Sequence, residues 1–322
     1  MKALAWLGRH ATEALVAGVL VGLMLPDLAA ALKAWLSPLV FVFTAASFLK
    51  VDAGAVARAA WRQPLLPSLL LLWSLVAVPV ATAAAIHLFQ VPMGLAQALI
   101  VWAASPSMTA AIVFAALLGL DVALAIAIAS ISIILVPLTG PPLAMWLAGL
   151  SIGVNALTLT ARIAAFVGAA LAAAWALRGL AGRSVIEKRA GEINGAIIIL
   201  LVLFGISLMA GVGHQVVTNL RHVMASVMAA FIANVGVQIA TGLLFVWAGS
   251  RRSATAALLS GNRNMSILCA NLDTTSTPDI LLFFATSHLP IYVLPWILRK
   301  IYGWAGRECG IERGAKLLHT LS

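Results

Sequence analysis

Long apolar runs constrain this chain more than any other feature. Of its 322 residues, 63% are hydrophobic and 9% are charged, whereas soluble domains carry about 25% charged residues. A helix that crosses a bilayer needs about 20 apolar residues, and charges or turn residues divide this chain into ten such runs. We therefore predict an all-α membrane protein. Its transmembrane helices, numbered in chain order, are predicted at residues 10–26, 33–50, 64–89, 94–118, 121–148, 154–178, 194–212, 221–249, 252–272 and 278–301.

The basic residues predict how these helices are oriented. With loops on alternate sides, the side of the N-terminus receives 16 of the 20 Lys and Arg residues, and the other side receives Lys33 and Arg221. Cytoplasmic loops carry an excess of Lys and Arg, so both termini are predicted to be cytoplasmic, in a cell inner (cytoplasmic) membrane. This topology explains the net charge of +10 without nucleic acid as a partner. The first run could also be a signal peptide, but its removal would leave an odd helix count and scramble the charges.

Acidic residues limit the possible mechanisms. All ten Asp and Glu residues fall at or near the ends of predicted helices, which argues against a buried acid as a proton or cation site. The sequence has no paired catalytic acids, metal-ligand cluster or Ser–His–acid arrangement, and its two cysteines have no metal-ligand spacing. We therefore expect no enzyme activity, no cofactor and no resident metal.

Predicted helices 4 and 9 share an unusual construction, because polar and helix-breaking residues interrupt both midway. The first reads WAASPSMTAAIVF (102–114) and the second reads LLSGNRNMSILCA (258–270). Aligning Ser107-Met108-Thr109 with Asn264-Met265-Ser266 gives an offset of 157 residues, close to half the chain. Five helices per half is an odd number, so residues 1–150 and 151–322 are predicted to be inverted repeats.

Interrupted helices at matching positions of two repeats indicate a transporter binding site. The half-helices after the breaks would present free N–H groups that attract anions; two kinks without a ligand are the alternative. Asn234 and Gln238 share a face of helix 8 and could face this site or bond a neighbouring helix. The predicted substrate-binding residues are Ser107, Met108, Thr109, Asn234, Gln238, Asn262, Arg263 and Asn264.

Four segments resemble the bile acid:sodium symporter family. SPSMTAAI (105–112) occupies the position of the family's Pro-Gly-Gly break in helix 4, and SGNRN (260–264) resembles its Gly-x-x-Asn crossing in helix 9. FIANVGVQIATG (231–242) resembles its helix 8, and GLDVALAIAIASISIILVPL (119–138) its helix 5. The resemblance implies that helices 4 and 9 cross within a core domain of helices 3–5 and 8–10. It also implies a panel domain of helices 1, 2, 6 and 7, and transport of a small organic anion, a carboxylate or sterol-like, by movement of core against panel.

The chain departs from this family at the sodium ligands. Positions that carry oxygen ligands in the family fall on Ala111, Ile112, Ala129, Ile133 and Leu259. Side chains of Ala, Ile and Leu supply no oxygen to a cation, so we expect transport without the usual sodium sites, with a sodium-coupled symporter as the alternative. The remaining candidates for ion coupling are Ser74, at the position of a family glutamine, Ser130, Ser132 and His288.

Arg263 takes the position of a family glutamine at the crossing. An arginine at mid-membrane depth costs about 2.5–3.5 kcal/mol on insertion scales, and the sequence supplies no acid nearby to pair with it. In the family, two sodium ions and one glutamate leave a charge of +1, which Arg263 alone would supply here. We therefore expect Arg263 to replace a coupling ion or to bind the carboxylate of the substrate.

Other polar residues have simpler expected roles. Asp121 is expected to cap helix 5, Arg162 to extend its side chain towards the membrane surface, and Met108 and Met265 to fill gaps. His288 suits helix packing better than proton transfer. A carrier-derived sensor or a membrane enzyme are the alternatives from other functional classes, and the oligomeric state stays open, with a monomer allowed.

The topology can be tested by labelling. A cysteine introduced at Asp279 in a chain without Cys269 and Cys309 is expected to react with an impermeant reagent from outside, because this loop is assigned to the non-cytoplasmic side. A reporter fused after Ser322 is expected in the cytoplasm. A cytoplasmic label at position 279 would contradict the ten-helix inverted arrangement.

Overall fold

A computed structural model describes residues 11–49, 54, 64–149, 155–272, 278–303 and 305. These residues form helices and short connections, and the only strand-like pairing among them is one isolated bridge. Six of the described helices are long and apolar enough to cross a membrane, or seven spans if one bent pair counts as a span. The chain is therefore a multi-pass, all-α membrane protein.

The described residues of the first half of the chain form seven helices. They are α1 (Ala11–Met24), α2 (Pro26–Lys33), α3 (Leu36–Leu49), α4 (Leu65–Phe89), α5 (Met93–Ala103), α6 (Ala110–Leu117) and α7 (Val122–Ala148). The second half contains α8 (Ala156–Ala181), α9 (Arg183–Lys188), α10 (Ala190–Leu208), α11 (Val212–Thr218), α12 (Leu220–Leu244), α13 (Ser250–Gly261), α14 (Ser266–Cys269) and α15 (Pro278–Ile297).

Six predicted helices, numbers 3, 5, 6, 7, 8 and 10, correspond to long apolar helices of the structure. Predicted helix 1 corresponds to α1, and predicted helix 2 (33–50) corresponds to α3. The short helix α2, which the sequence analysis did not predict, precedes α3 and is bent by 72° from it. The residues before Ala11 and after Ala305 lie outside the described part of the chain. The predicted location of the two termini and the signal-peptide alternative concern these residues. Predicted helices 4 and 9 are interrupted, because α5 and α6 are separate helices, as are α13 and α14.

Local sequence explains where the helices near these breaks begin. Pro92 has the extended conformation that precedes a helix and comes directly before α5. The Asp121 carboxylate accepts a hydrogen bond from the Leu124 N–H at 3.0 Å, so it caps α7 as the sequence predicts. Gly119 turns the chain between α6 and α7 with a φ of 72°, a conformation that glycine adopts without strain.

The helices pack in two groups. In one group, α10 packs against α1, α2 and α3, and α8 packs against α3. In the other, α12 packs against α13 and α15, while α5 packs against α4, α7 and α15. Contacts of α7 with α8 and of α10 with α15 join the groups. Both interrupted helices belong to the second group, which therefore contains the candidate site.

Gly18 and Gly22 allow α1 to approach α10 closely, which the sequence analysis did not anticipate. A Cβ at Gly22 would lie 2.8 Å from the Ile206 carbonyl oxygen, and one at Gly18 would lie 3.1 Å from Val202 Cγ1. Small residues four apart let helix backbones come together in membranes. The contact thus depends on the missing side chain at Gly22.

Substitution of Gly22 tests this contact. Gly22→Ala is expected to destabilise the protein by about 1–3 kcal/mol, the usual cost of overpacking, because the new methyl group would meet backbone atoms that cannot rotate away. Gly205→Ala is the matched control on α10, since its Cβ would come no closer than 3.8 Å to Val19 Cγ2. Thermal unfolding in detergent measures both, and equal midpoints would contradict the close contact.

Candidate functional site

The two interrupted helices meet in the protein interior and bond to each other at residues 106–108 and 262–264, a region called the crossing below. The Met108 N–H donates to the Asn262 carbonyl at 2.9 Å, and the Asn264 N–H donates to the Pro106 carbonyl at 2.8 Å. Between these two bonds, Ser107 and Arg263 face each other as an antiparallel bridge. Each broken helix thus satisfies backbone groups that the other leaves free, which buried backbone requires.

The bridge has a local two-fold relation under which Ser107 is equivalent to Arg263 and Met108 is equivalent to Asn264. The helices after the breaks keep the same spacing, since α6 begins at Ala110 and α14 at Ser266. This register differs by one residue from the sequence alignment, which pairs Ser107 with Asn264. The difference arises because backbone hydrogen bonds, rather than similar side chains, determine which positions of the two breaks are equivalent.

Main-chain carbonyls hold the Arg263 guanidinium. Its Nε–H donates to the Ser260 carbonyl at 2.6 Å, and Nη1 donates to the carbonyls of Ser74 at 2.8 Å and Ser105 at 3.1 Å. Ser105 follows the C-terminal end of α5, Ser260 lies at the C-terminal end of α13, and Ser74 lies in a π-helical turn of α4 (Trp73–Ala77). Carbonyls at helix C-termini lack helical partners and carry partial negative charge, so they stabilise the cation.

Arg263 is 1% exposed, and no acid among the described residues lies within ion-pair distance of it. Arginine has five N–H donors, of which three bond to the carbonyls. The two on Nη2 have no partner, and neither does the buried hydroxyl of Ser107 on the facing strand. The guanidinium is therefore tightly held but not saturated with hydrogen bonds.

Ser74 contributes to this arrangement in two ways. Besides its carbonyl, its hydroxyl lies 3.1 Å from the Ser260 hydroxyl, in a bond that links α4 to α13. Both side chains are fully buried. The predicted ion-coupling residue Ser74 thus belongs to the crossing through contacts with a neighbouring helix and with Arg263. The predicted site residues do not include Ser105 and Ser260, because a serine that contributes its main-chain carbonyl cannot be distinguished by residue type from any other residue.

Amide side chains of α12 continue the network. Asn234 Nδ2 donates to the Gly261 carbonyl at 2.9 Å and to Asn262 Oδ1 at 3.3 Å. Gln238 Nε2 donates to Asn234 Oδ1, and the Tyr302 hydroxyl donates to Gln238 Oε1. Asn234 and Gln238 therefore lie at the crossing, where their amide groups bond to other parts of the protein.

The remaining predicted crossing residues have local partners. Asn262 Nδ2 donates to the Leu258 carbonyl at 2.9 Å, and Asn264 Oδ1 accepts bonds from the N–H (3.3 Å) and hydroxyl of Ser266, at the start of α14. Met108 is buried and Thr109 is half-buried, immediately before α6. The amide side chains of Asn262 and Asn264 therefore bond to groups next to the break, at the end of α13 and the start of α14.

Two of the predicted ion-coupling residues lie on α7. The Ser132 hydroxyl accepts a bond from the Ser107 N–H at 3.2 Å and donates to the Ala129 carbonyl at 3.0 Å, so it joins α7 to the crossing. The Ser130 hydroxyl is buried without a partner. The positions at which the family resemblance would place sodium ligands carry apolar side chains, of which Ala111, Ala129, Ile133 and Leu259 are buried. Among the described residues, no group of three His, Cys, Asp or Glu could hold a metal ion.

His288 lies in an aromatic cluster. Its Nδ1–H donates to the Phe284 carbonyl at 2.8 Å on its own helix. The ring packs against the rings of Phe204, Phe284 and Tyr292, at centroid distances of 5.9, 5.2 and 5.8 Å. These contacts are those of a helix-packing histidine.

No protein-family model matches the chain, and a search of curated proteins finds no similar sequence. The functional argument therefore depends on the geometry of the crossing.

Gly261 determines how closely the crossing approaches α12, and its substitution tests the network. A Cβ there would lie 2.5 Å from Gln238 Cγ and 2.9 Å from the Asn234 carbonyl oxygen. Gly261→Ala is therefore expected to cost about 1–3 kcal/mol of stability through overpacking and to weaken the bond from Asn234. Gly242→Ala on α12 is the control, because its Cβ would come no closer than 3.8 Å to another atom. Equal thermal midpoints for the two variants would contradict this role.

Proposed function

We propose that the chain is a secondary transporter of a small organic anion, a carboxylate or a sterol-like anion. It would have ten transmembrane helices in two inverted five-helix repeats, residues 1–150 and 151–322. The observation that carries the proposal is the buried crossing of two interrupted helices, one from each half of the chain. Transporters form substrate sites from discontinuous helices of two repeats, near the middle of the membrane.

Polar contacts between helix ends support the ten-helix topology. In that arrangement every helix end has an assigned side, and six contacts join ends that are assigned to the same side. On the cytoplasmic side the bonded pairs are Arg178–Leu49, Arg251–Leu120 and Ser250–Ala305, and on the outer side they are Ser37–Ala270, Gln97–Ala148 and His222–Asp279.

The two packing groups supply the moving parts of the proposed mechanism. The panel would consist of α1, α2, α3, α8 and α10, and the core of α4–α7 and α12–α15. The crossing lies within the core, and the panel contacts the core mainly through α8 and α10. Alternating access would then move one group against the other around a site whose broken helices stay bonded.

Arg263 would act as a permanent cation at this site. Three carbonyl oxygens from three helices meet its Nε and Nη1 groups, much as oxygen ligands surround a bound metal cation. Because the charge is covalently attached, the helix ends need no sodium ion to neutralise their partial charges. Substrate binding would then be independent of sodium, whereas a sodium-coupled symporter would need ligands at other positions.

Uptake measurements in proteoliposomes test sodium independence. Replacing sodium by potassium is expected to change the uptake of a transported carboxylate by less than tenfold, which corresponds to about 1.4 kcal/mol of coupling. The uptake panel would include small monocarboxylates, dicarboxylates and sterol-like acids, with protein-free liposomes as the control. A larger dependence on sodium would favour the symporter alternative, and no uptake of any of these anions would contradict the proposed function.

Substitution of Arg263 tests the role of the fixed charge. Arg263→Ala is expected to abolish uptake because it removes the fixed charge, and removal of that costly buried charge offsets part of the cost of leaving three carbonyls without a donor. Arg263→Lys should recover part of the uptake, since it keeps the charge but loses the planar group. Arg162→Ala, at an exposed arginine on α8, is the matched control. Uptake by Arg263→Ala at the parent rate would show that the charge is not needed.

A further inference from the structure

Two buried groups at the crossing have hydrogen-bond donors without acceptors. Arg263 Nη2 carries two N–H donors and Ser107 Oγ carries one O–H donor, and neither atom has a partner. The two residues are 1% and 0% exposed, respectively. A buried donor without an acceptor costs about 1–3 kcal/mol, and more when the donor is charged.

The antiparallel bridge places the side chains of Ser107 and Arg263 on one face of the crossing. The hydrogen bonds of the bridge run from Met108 to Asn262 and from Asn264 to Pro106, so they flank Ser107 and Arg263 and leave these two as a non-hydrogen-bonded pair. Side chains of such a pair project from the same face of the two strands and lie close together. The donors do not bond to each other, so both remain available to a third group.

We propose that Ser107 Oγ and Arg263 Nη2 together bind one carboxylate of the substrate, and that the substrate is a monocarboxylate. This deepens the proposed transport function, on which it rests. Three donors exceed the two hydrogen bonds that one water accepts, whereas a carboxylate accepts about four. A carboxylate also neutralises the guanidinium, which no described acid does.

The donor count determines how the carboxylate is held. Bidentate binding to arginine uses donors on two nitrogens, but Nη1 and Nε already bond to carbonyls. The carboxylate therefore receives its bonds from Nη2 alone and from the serine hydroxyl. This leaves the three carbonyl bonds intact, so Arg263 can hold the crossing and the substrate at the same time.

Charge selects monocarboxylates over dicarboxylates. Among the Lys and Arg residues whose side chains the structure describes, Arg263 is the only buried one. A second carboxylate in this interior would lack a countercharge, and burial of an unpaired carboxylate is strongly unfavourable. The structure therefore predicts discrimination by charge between acids of equal length.

Binding of matched small molecules to the purified full-length chain tests this inference. Butyrate is the probe, butyramide is its neutral counterpart, and succinate, at a pH where both its carboxyl groups are ionised, is the dicarboxylate of equal length. Calorimetry or thermal shift is expected to detect butyrate, to detect no butyramide, and to give at least tenfold weaker binding for succinate. Absence of butyrate binding, or equal binding of butyrate and butyramide, would overturn the proposal.

Ser107→Ala isolates the hydroxyl, because the bridge uses only main-chain atoms. Its loss is expected to weaken butyrate binding about tenfold, the effect of one hydrogen bond to a charged group. Ser207→Ala on α10 is the matched control, since this buried hydroxyl also lacks a partner but lies outside the crossing. Arg263→Lys, which retains the charge, should likewise weaken binding. Equal butyrate affinity in Ser107→Ala and the parent would exclude the hydroxyl as a ligand.

The outcomes separate this inference from the transport proposal. If carboxylates are taken up but Ser107→Ala binds butyrate as tightly as the parent, the transport function stands and the proposed ligand pair is wrong. If butyrate binds through Ser107 and Arg263 but no anion in the panel is transported, the site stands and the transporter proposal fails.

Discussion

The need to satisfy free backbone groups away from water governs the centre of this protein. Each of the two broken helices leaves carbonyl and N–H groups without helical partners, and lipid offers no replacement. The reciprocal bonds on either side of Ser107 and Arg263 provide partners for some of these groups. The guanidinium provides donors for others, because it bonds to carbonyls at the ends of α5 and α13 and in the π turn of α4.

The unpaired carbonyls of the broken helices both stabilise the charge of Arg263 and fix its position. Its charge is tolerable in the interior because helix C-terminal dipoles and three carbonyls surround it, in the place of an acidic partner. Its position is fixed because those carbonyls come from three separate helices. A cation held in this way keeps its remaining donors in a defined direction, which is the preorganisation that selective binding requires.

The polar side chains around the crossing are of two kinds: some are hydrogen-bonded within the protein, and others have polar atoms without a partner. Side-chain amide groups form hydrogen bonds within the protein at four residues, Asn234, Gln238, Asn262 and Asn264. Ser132 bonds to the Ser107 N–H and leaves the Ser107 hydroxyl free. Chemically similar residues in one region thus differ in whether their polar atoms remain available, and only the available ones can bind a ligand without breaking existing bonds.

The sequence by itself determined the membrane class, the apolar segments and the two interruptions, because these depend on local composition and on Pro, Gly and polar residues within each segment. It also identified Arg263 as unusual, since a charge in an apolar segment is visible without a structure. The tertiary structure alone decided the register of the bridge, the carbonyl partners of Arg263 and the close contacts of Gly22 and Gly261. These depend on main-chain atoms from distant segments, and every residue type carries the same main-chain groups, so the sequence alone does not reveal them.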